Sequence, residues 1–323
     1  MANDHYIPRF YLRNFEIPRR PGWIYLYRRG RKPTALGIKS VASHPDYYTL
    51  KFPQVDIPQN APDEFLKRVE SAAAPIITDL LTAPRLELSQ GAVMIVSMFA
   101  GFLAARTPMA RQRALNVHLA MRKKLLKDLA EDPEEYKRIV AELNLAKTKK
   151  EAEVIRQGFL NVEKSIVMSY AGDVEDFSLK KSFITGELLA SILFQKYWVL
   201  VEAPAPLMFV TSDNPFVTLV PEPYIPGMEV SPINAECLLP ISPQRALLFS
   251  NKIKGSSLYK VRKERMTTWV KQIISLGYEN VFASVDSEHF QEEFERIPAD
   301  EITKIPLDGL PNVLTMMKES DGG

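Results

Sequence analysis

The stretch HYIPRFYLRNF (residues 5–15) places four aromatic residues, a leucine and several polar residues almost at the start of the chain. Chain termini are usually loose and polar. Pro8 disfavours a helix at the residue before it, so the pattern predicts an extended start anchored by Phe10, Leu12 and Phe15. We therefore expect this segment to be docked into the core and to contribute to a polar site.

Three polar residues of the same stretch are candidates for that site. His5 is interpreted either as a general base or ligand, or as a half-buried histidine that satisfies a backbone carbonyl. Arg9 and Asn14 are predicted to contact a substrate. Both interpretations of His5 stay open at this point.

The composition is that of an ordinary globular protein, with 323 residues, 46% hydrophobic and 25% charged. Its 41 Lys and Arg against 39 Asp and Glu give a net charge of only +2. This excludes a strongly basic coat for nucleic acid, although a local basic patch could still bind one. The single cysteine, Cys237, cannot form an internal disulfide, which favours a reducing cytoplasm.

Membrane and export signals are absent from the pattern. Residues 1–10 have no apolar signal-peptide core. The most apolar run, residues 91–105, is shorter than the ~20 residues that a membrane span needs. We expect this run to be a buried helix, and we expect a cytoplasmic protein with no membrane partner.

The order of patterns along the chain predicts an α+β fold. We expect a single domain over 1–323, with a central helical bundle packed on a mixed or antiparallel sheet that N- and C-terminal strands form together. The regions are N-terminal strands and loops (1–60), helices (62–201), C-terminal strands and a helix (205–285) and a charged tail (286–323).

Individual elements follow from hydrophobic periodicity and from turn residues. The charge-dense stretch 133–157 predicts solvated helix or a mobile connector. The last long helix is apolar nearly all round and should run through the core. Strands are expected at 23–29, 34–40, 47–52 and 207–210, and helices at 63–81, 90–105 with Ser89 as its cap, 109–132, 151–170 and 178–201.

Three charged residues lie on apolar helix faces. Glu70, Arg106 and Glu187 each share a face with large apolar residues, and a buried charge is costly unless it is paired. One interpretation is buried ion pairing of Arg106 with Glu70 or Glu187. The other is that these charges line an internal cleft.

The segment TSDNP (residues 211–215) follows the apolar run LMFV and is the strongest local feature. Ser212, Asp213 and Asn214 would present a hydroxyl, a carboxylate and an amide where a rigid strand ends in a loop. The alternative is a simple Asx turn, because Asp-Asn-Pro favours a turn by itself. The segment ISPQ (241–244) ends another short strand and could lie beside it.

Several classes of site are disfavoured by the sequence. It contains no phosphate-binding P-loop, no dinucleotide fingerprint, no HExxH and no GxSxG. The cofactor is therefore unknown. His5, Glu70 and Asp213 could together hold Mg²⁺ or Mn²⁺ through oxygen and imidazole ligands, but no spacing requires this.

Several blocks of the chain resemble a mainly bacterial family of unknown function, domain-of-unknown-function family 4238. The resemblance spans about residues 5–285. It implies that His5, Arg106 and Asp213 belong to one constellation, and it implies no activity. Its blocks are His5, Pro8, Phe10, Leu12 and Phe15, then Arg106-Thr107-Pro108, residues 211–215, Leu239-Pro240 with Ser242-Pro243, and 279–284.

These observations lead to a hypothesis of hydrolysis, with a phosphodiester as the substrate of a phosphodiesterase or nuclease. His5 would act as general base or ligand, Asp213 would orient His5 or bind a metal, and Arg106 would hold an anionic group. Glu70 completes the catalytic set, while Ser212 and Asn214 join Arg9 and Asn14 in binding substrate. Two alternatives remain: a non-catalytic module that binds an anion or small ligand, and purely structural packing motifs.

Overall fold

A computed structural model describes residues 3–52, 57–161, 171–220, 231–253, 258–296 and 298. Its mixture of helices and sheets confirms the predicted α+β class. The chain divides into two compact units, residues 1–112 with 178–303 and residues 113–177 with 304–323. The assignment of all residues to a single domain stays a prediction, and most of the predicted charged tail, from residue 299 onward, lies outside the described residues.

The described helices and strands alternate in blocks along the chain. A short 3₁₀ turn lies at Ile38–Ser40. The helices are α1 (Arg9–Arg13), α2 (Ala61–Leu80), α3 (Gln90–Ala105), α4 (Pro108–Glu131), α5 (Pro133–Glu142), α6 (Lys149–Leu160), α7 (Ala171–Phe194), α8 (Lys263–Ser275) and α9 (Glu288–Glu295). The strands are β1 (Asn3–His5), β2 (Trp23–Arg28), β3 (Arg31–Gly37), β4 (Ser43–Pro45), β5 (Tyr197–Glu202), β6 (Thr211–Ser212), β7 (Val217–Thr218), β8 (Cys237–Pro240), β9 (Arg245–Ser250), β10 (Tyr259–Lys260) and β11 (Val281–Ala283).

One sheet joins the two ends of the chain, as the sequence predicts. Its strand order is β3-β2-β11-β6, and all neighbours are antiparallel. Phe282 of β11 lies opposite Leu26 on one side and Thr211 on the other. The hairpin between β2 and β3 turns at Gly30, whose φ of 67° suits a residue without a Cβ.

A second sheet has the order β10-β5-β9-β8-β7, with only β10 and β5 parallel. Its central strand β9 is buried at every position. Such continuous burial explains why β9 and β5 read as uninterrupted apolar runs and not as alternating patterns. A third, two-stranded sheet pairs β1 with β4.

The N-terminal stretch is docked as expected, but its conformation differs from the prediction. Only Asn3–His5 is extended, and helix α1 begins directly after Pro8. Tyr11, Leu12 and Phe15 are fully buried. Tyr11 and Leu12 lie in α1, and Phe15 follows in the turn after it, where its N–H donates to the carbonyl oxygen of Leu12; the prediction of an extended segment is wrong here.

Tyr11 connects this helix to the second half of the chain. Its hydroxyl lies 2.9 Å from the hydroxyl oxygen of Thr211 and donates to the carbonyl oxygen of Pro240 at 2.6 Å. The buried hydroxyl thus has two partners, one from each of the two larger sheets. The packing residues near the start of the chain therefore anchor α1 against both larger sheets.

Three of the predicted elements are wrong in type. Residues 47–52 contain a turn and no strand, and residues 207–210 are unpaired, so that the strand begins only at Thr211. Helix α7 ends at Phe194, and residues 197–202 form strand β5. Tyr197 to Glu202 are rich in aromatic and β-branched residues, which favour a strand.

The expectation that the last long helix is buried all round is also wrong. The side chains of Ile184 and Leu188 on α7 are 60% and 61% exposed. Part of its apolar surface therefore faces away from the core.

The stretch 133–157 is mostly helical, in α5 and the greater part of α6, with a connection at residues 143–148; helix is one of the two predicted alternatives. Asp132 accepts a hydrogen bond from the N–H of Glu135 at the start of α5. Thr148 and Glu151 form a reciprocal capping box at the start of α6. The remaining part of the helix predicted at 151–170 lies outside the described residues from 162 onward.

The length and hydropathy of the described helices bear on whether one of them could span a membrane. Among the described helices, none alone is both long and apolar enough to cross a bilayer. Helices α3 and α4 reach that threshold only as a pair, and they are bent by 62° at the break between them.

Helix α3 packs closely against α7 through glycine, and this contact gives the first prediction. A Cβ on Gly101 would lie 2.4 Å from the carbonyl oxygen of Gly186 and 2.7 Å from the backbone N of Ala190. Because both obstacles are backbone atoms, we expect Gly101→Ala to lower the free energy of unfolding by about 2 kcal/mol. Urea denaturation of the purified variant measures this change.

Gly91, in the first turn of the same helix, provides the control. A Cβ there meets only the Ser89 hydroxyl oxygen at 3.9 Å. Gly91→Ala should therefore be neutral or stabilise by up to roughly 1 kcal/mol through helix propensity. Equal effects of the two substitutions would contradict the close contact.

Candidate functional site

Arg106 lies at the carboxyl end of α3 and is the buried charge around which the site is built. Only 3% of this residue is exposed. Its Nη1 lies 2.7 Å from Oε1 of Glu70, which projects from α2. Of the two ion-pair partners that the sequence allowed, the structure therefore selects Glu70, and Glu187 makes no contact with Arg106.

The other edge of the Arg106 guanidinium is unpartnered. Its Nε and Nη2 are buried and have no hydrogen-bond partner among the described residues. These two N–H groups point the same way and form the fork that binds carboxylate or phosphate oxygens in pairs. Buried donors are almost always satisfied, so this edge is the most unusual polar feature of the unit.

Arg106 belongs to a connected set of three tyrosines and two arginines, which we call the tyrosine–arginine cluster. The hydroxyl of Tyr47 donates to the carbonyl oxygen of Arg106 at 3.0 Å. Arg111 donates from Nη1 to the carbonyl oxygen of Tyr47 at 2.8 Å, and its Cζ lies 4.3 Å from the centre of that ring. The cluster consists of Tyr6, Tyr47, Tyr48, Arg106 and Arg111.

The rings of the cluster contact one another. The centre of Tyr47 lies 5.8 Å from that of Tyr6 and 5.1 Å from that of Tyr48. The Cζ atom of Arg106 lies 5.9 Å from the ring centre of Tyr48. The exposed ring of His44 stacks on Tyr6 at 5.4 Å.

The charges of Arg106 and Asp213 both influence the pKa of Tyr47. Burial raises its pKa to about 12, the positive charges of Arg111 and Arg106 oppose this rise, and the negative charge of Asp213 adds to it. Arg106 and Asp213, predicted to share one constellation, thus act on the same side chain, although they do not touch each other.

Asp213 is fully buried and accepts hydrogen bonds from three consecutive backbone N–H groups. The donors are Tyr278 at 2.7 Å, Glu279 at 2.8 Å and Asn280 at 2.8 Å, and the Asn280 side chain adds a fourth bond at 3.2 Å. Burial raises the pKa of Asp213 to about 6, while these four bonds lower it. The carboxylate therefore organises the loop before β11.

The neighbours of Asp213 also hydrogen-bond locally. The hydroxyl of Ser212 donates to the carbonyl oxygen of Asn214 at 2.9 Å and accepts from its backbone N at 3.2 Å. The amide nitrogen of Asn214 donates to the carbonyl oxygen of Leu276 at 3.3 Å. The segment is therefore a turn closed by Ser212, and the substrate contacts assigned to Ser212 and Asn214 stay predictions.

His5 lies on β1, apart from the two other members of the predicted constellation. None of its hydrogen bonds or ring contacts reaches Asp213 or Arg106; the link between them is Tyr48, whose hydroxyl donates to the His5 carbonyl oxygen at 3.4 Å. Burial and then the charge of Arg9 lower the pKa of His5. Its buried Nε2 has no partner among the described residues.

The remaining sequence candidates lie on α1. Arg9 is exposed at its first residue, and Asn14 directly follows its last residue, where its backbone N donates to the carbonyl oxygen of Tyr11. Neither side chain makes a contact with Arg106 or Asp213. Their roles in substrate binding stay predictions.

The acidic and histidine side chains that the structure describes are not arranged as a metal site. Among the described ranges, no group of three or more His, Cys, Asp or Glu residues is arranged to hold a metal ion. His5, Glu70 and Asp213 therefore do not come together as the ligand set that the sequence suggested for Mg²⁺ or Mn²⁺.

Sequence reasoning missed Tyr6, Tyr47, Tyr48 and Arg111 as members of the site. The sequence pattern predicts a strand at 47–52, and the turn that holds Tyr47 and Tyr48 is therefore overlooked. The signal that could have found it is the run SHPDYY (residues 43–48), which combines turn residues with aromatic and titratable groups.

The fold and the site define an α+β protein with a buried, half-paired arginine beneath a layer of tyrosines. The chain belongs to the family described as protein of unknown function (DUF4238), whose model matches residues 3–301. This confirms the resemblance seen in the sequence. No curated protein and no solved structure matches the chain significantly.

Asp213 gives the second prediction. We expect Asp213→Ala to lower the free energy of unfolding by about 3 kcal/mol, because three backbone N–H groups, the buried one of Asn280 among them, lose their acceptor. Urea denaturation measures the loss. Asp286→Ala, at an exposed aspartate just after β11, should change stability by less than about 0.5 kcal/mol; a tolerated Asp213→Ala would show that the loop does not depend on this carboxylate.

Proposed function

We propose that this protein binds the oxyanion group of a small ligand, a carboxylate or a phosphate, at the tyrosine–arginine cluster. The observation that carries the proposal is the free edge of the Arg106 guanidinium, whose Nε and Nη2 are buried without a partner. A bidentate oxyanion satisfies both donors at once. It also removes the cost of leaving two charged donors unpaired in the interior.

Both arginines of the cluster act on Tyr47, and one edge of the Arg106 guanidinium is unpaired. Glu70 compensates the guanidinium from one side only, through Nη1. Arg111 supplies a second positive charge next to Tyr47. The tyrosine rings would cover the apolar part of the ligand, and their hydroxyls can donate to further ligand oxygens.

Oxyanion binding gives the third prediction, tested with inorganic phosphate and acetate by isothermal titration calorimetry. We expect Arg106→Lys to weaken binding at least tenfold, about 1.4 kcal/mol, because lysine keeps the charge but not the fork. Arg85→Lys, in an exposed ion pair with Glu87, is the matched control and should leave binding unchanged.

A variant that keeps the fold guards this test against misfolding. Replacing Arg106 alone leaves Glu70 without its partner, so the double variant Arg106→Met with Glu70→Gln removes both charges together. We expect it to be folded by circular dichroism and to bind neither anion. Binding retained in this variant, or no binding by the native protein, would contradict the proposal.

A second candidate function is hydrolysis of a phosphodiester with His5 as general base. It is favoured by the imidazole of His5, whose lowered pKa keeps it uncharged near neutral pH and whose Nε2 has no described partner. An uncharged imidazole can accept a proton from water as the water oxygen attacks phosphorus, and it can return this proton to the alkoxide that leaves as the P–O ester bond breaks. Tyr48 connects the two groups, because its hydroxyl donates to the carbonyl oxygen of His5 and its ring centre lies 5.9 Å from Cζ of Arg106.

Hydrolysis gives the fourth prediction, measured with bis-p-nitrophenyl phosphate in the presence of Mg²⁺ or Mn²⁺. His5→Ala should reduce the rate at least roughly a hundredfold. The native rate should fall as the pH drops through the lowered pKa of His5, because the base must be unprotonated. His289→Ala, at an exposed histidine, is the control; equal rates for native protein and His5→Ala, or no hydrolysis by either, would exclude this candidate.

A further inference from the structure

A groove between α3 and α7 has not been assigned any role so far. Its volume is 630 Å³, within the roughly 300–1,000 Å³ that is usual for small-molecule sites. One residue of α2, Phe65, also contributes to it. The residues on the two helices that matter here are Met94, Met98, Phe102, Phe183, Glu187 and Phe194.

Three phenylalanines form an aromatic wall in the groove. The ring centre of Phe65 lies 5.0 Å from that of Phe102 and 5.7 Å from that of Phe183, and the last two are 5.4 Å apart. The faces of such rings attract organic cations. Met94 and Met98 add flexible apolar surface that adapts to the shape of a ligand.

Glu187 is the charged residue in the lining of this groove. It lies four residues after Phe183 and therefore on the same face of α7. It is exposed and makes no hydrogen bond or ion pair with the residues that the structure describes. The groove thus combines apolar and aromatic surface with a single uncompensated negative charge.

Ser97 also lies in the lining, together with the polar residues Ser191 and Gln195, and it differs from Glu187 in being buried. Only 1% of Ser97 is exposed, and its Oγ has no hydrogen-bond partner within the described part of the chain. A buried hydroxyl without a partner costs free energy. A ligand that donates a hydrogen bond to Oγ would recover that cost.

We propose that this groove binds a small organic ammonium ion with an apolar body. The aromatic and methionine surfaces bury the body, Glu187 pairs with the ammonium group, and Ser97 accepts a hydrogen bond from it. An anionic ligand would be repelled by Glu187. A purely apolar ligand would leave the carboxylate of Glu187 and the hydroxyl of Ser97 without a partner. This site involves neither Arg106 nor the tyrosine–arginine cluster, so it stands independently of the proposed oxyanion site.

The test compares three probes that share one apolar body and differ in charge. They are 2-(1-naphthyl)ethylamine, 2-(1-naphthyl)ethanol and 1-naphthylacetate, titrated into the full-length protein by isothermal titration calorimetry at pH 7.5. We expect the amine to bind at least tenfold more tightly than the alcohol, and the acid to bind most weakly. Equal affinities, or no binding of the amine at millimolar concentration, would overturn the proposal.

Two variants locate the binding site. Glu187→Gln should reduce the affinity for the amine to that for the alcohol and leave the alcohol unaffected, whereas Glu264→Gln, at an exposed glutamate on α8, should change neither. Ser191→Trp, at an exposed position in the lining, should weaken both probes at least tenfold by filling the groove. An unchanged amine affinity in either groove variant, with an unaltered melting temperature, would place the probe elsewhere and overturn the proposal.

Discussion

The hydrogen bonds made by the carboxylate of Asp213 connect several distant segments of the larger unit. Asp213 accepts the backbone N–H groups of three consecutive residues, 278–280, and its own backbone N donates to the carbonyl oxygen of Asn280. Asn280 in turn accepts from Nε of Arg28 and donates to the hydroxyl oxygen of Tyr6. One buried acid therefore joins β6, the start of β11, the hairpin strand β2 and the N-terminal segment. The segments TSDNP and ENVFAS, which marked the family in the sequence, meet at this carboxylate.

Arg106 presents the opposite case, because its charge is buried without full satisfaction. Asp213 has four donors, whereas Arg106 pairs through a single nitrogen with Glu70 and leaves the Nε and Nη2 edge without a partner. Structural charges in protein interiors are normally matched as completely as that of Asp213. The contrast within one unit supports the proposal that Asp213 maintains the fold and that the free edge of Arg106 binds a ligand. The charges of both groups influence the pKa of Tyr47.

The sequence predicts the architecture better than it predicts the site. The helix at 90–105 is confirmed because its apolar run and its cap, Ser89, are local signals. The pairing of both chain ends is confirmed because strand-like segments occur at the two ends with helices between them. The strand at 197–202 is missed because a short continuous apolar run has no period that separates strand from helix. The positions of charged residues on apolar helix faces limit the expected ion-pair partner of Arg106 to Glu70 or Glu187. The free edge of Arg106 and its contact with Tyr47 depend on the tertiary packing of distant segments, which no local pattern encodes.

The contact between Gly101 and Gly186 connects the packing of the bundle with the groove beside it. Without side chains at these positions, the backbones of α3 and α7 approach so closely that a Cβ on Gly186 would lie 2.6 Å from the ring of Phe102. The ring of Phe102 is thereby held against α7 and next to Phe183. The aromatic wall is then a consequence of the glycine contact, since a larger residue at 186 would displace the ring. The same two glycines that let the core helices pack therefore fix the geometry of the surface on which Glu187 lies.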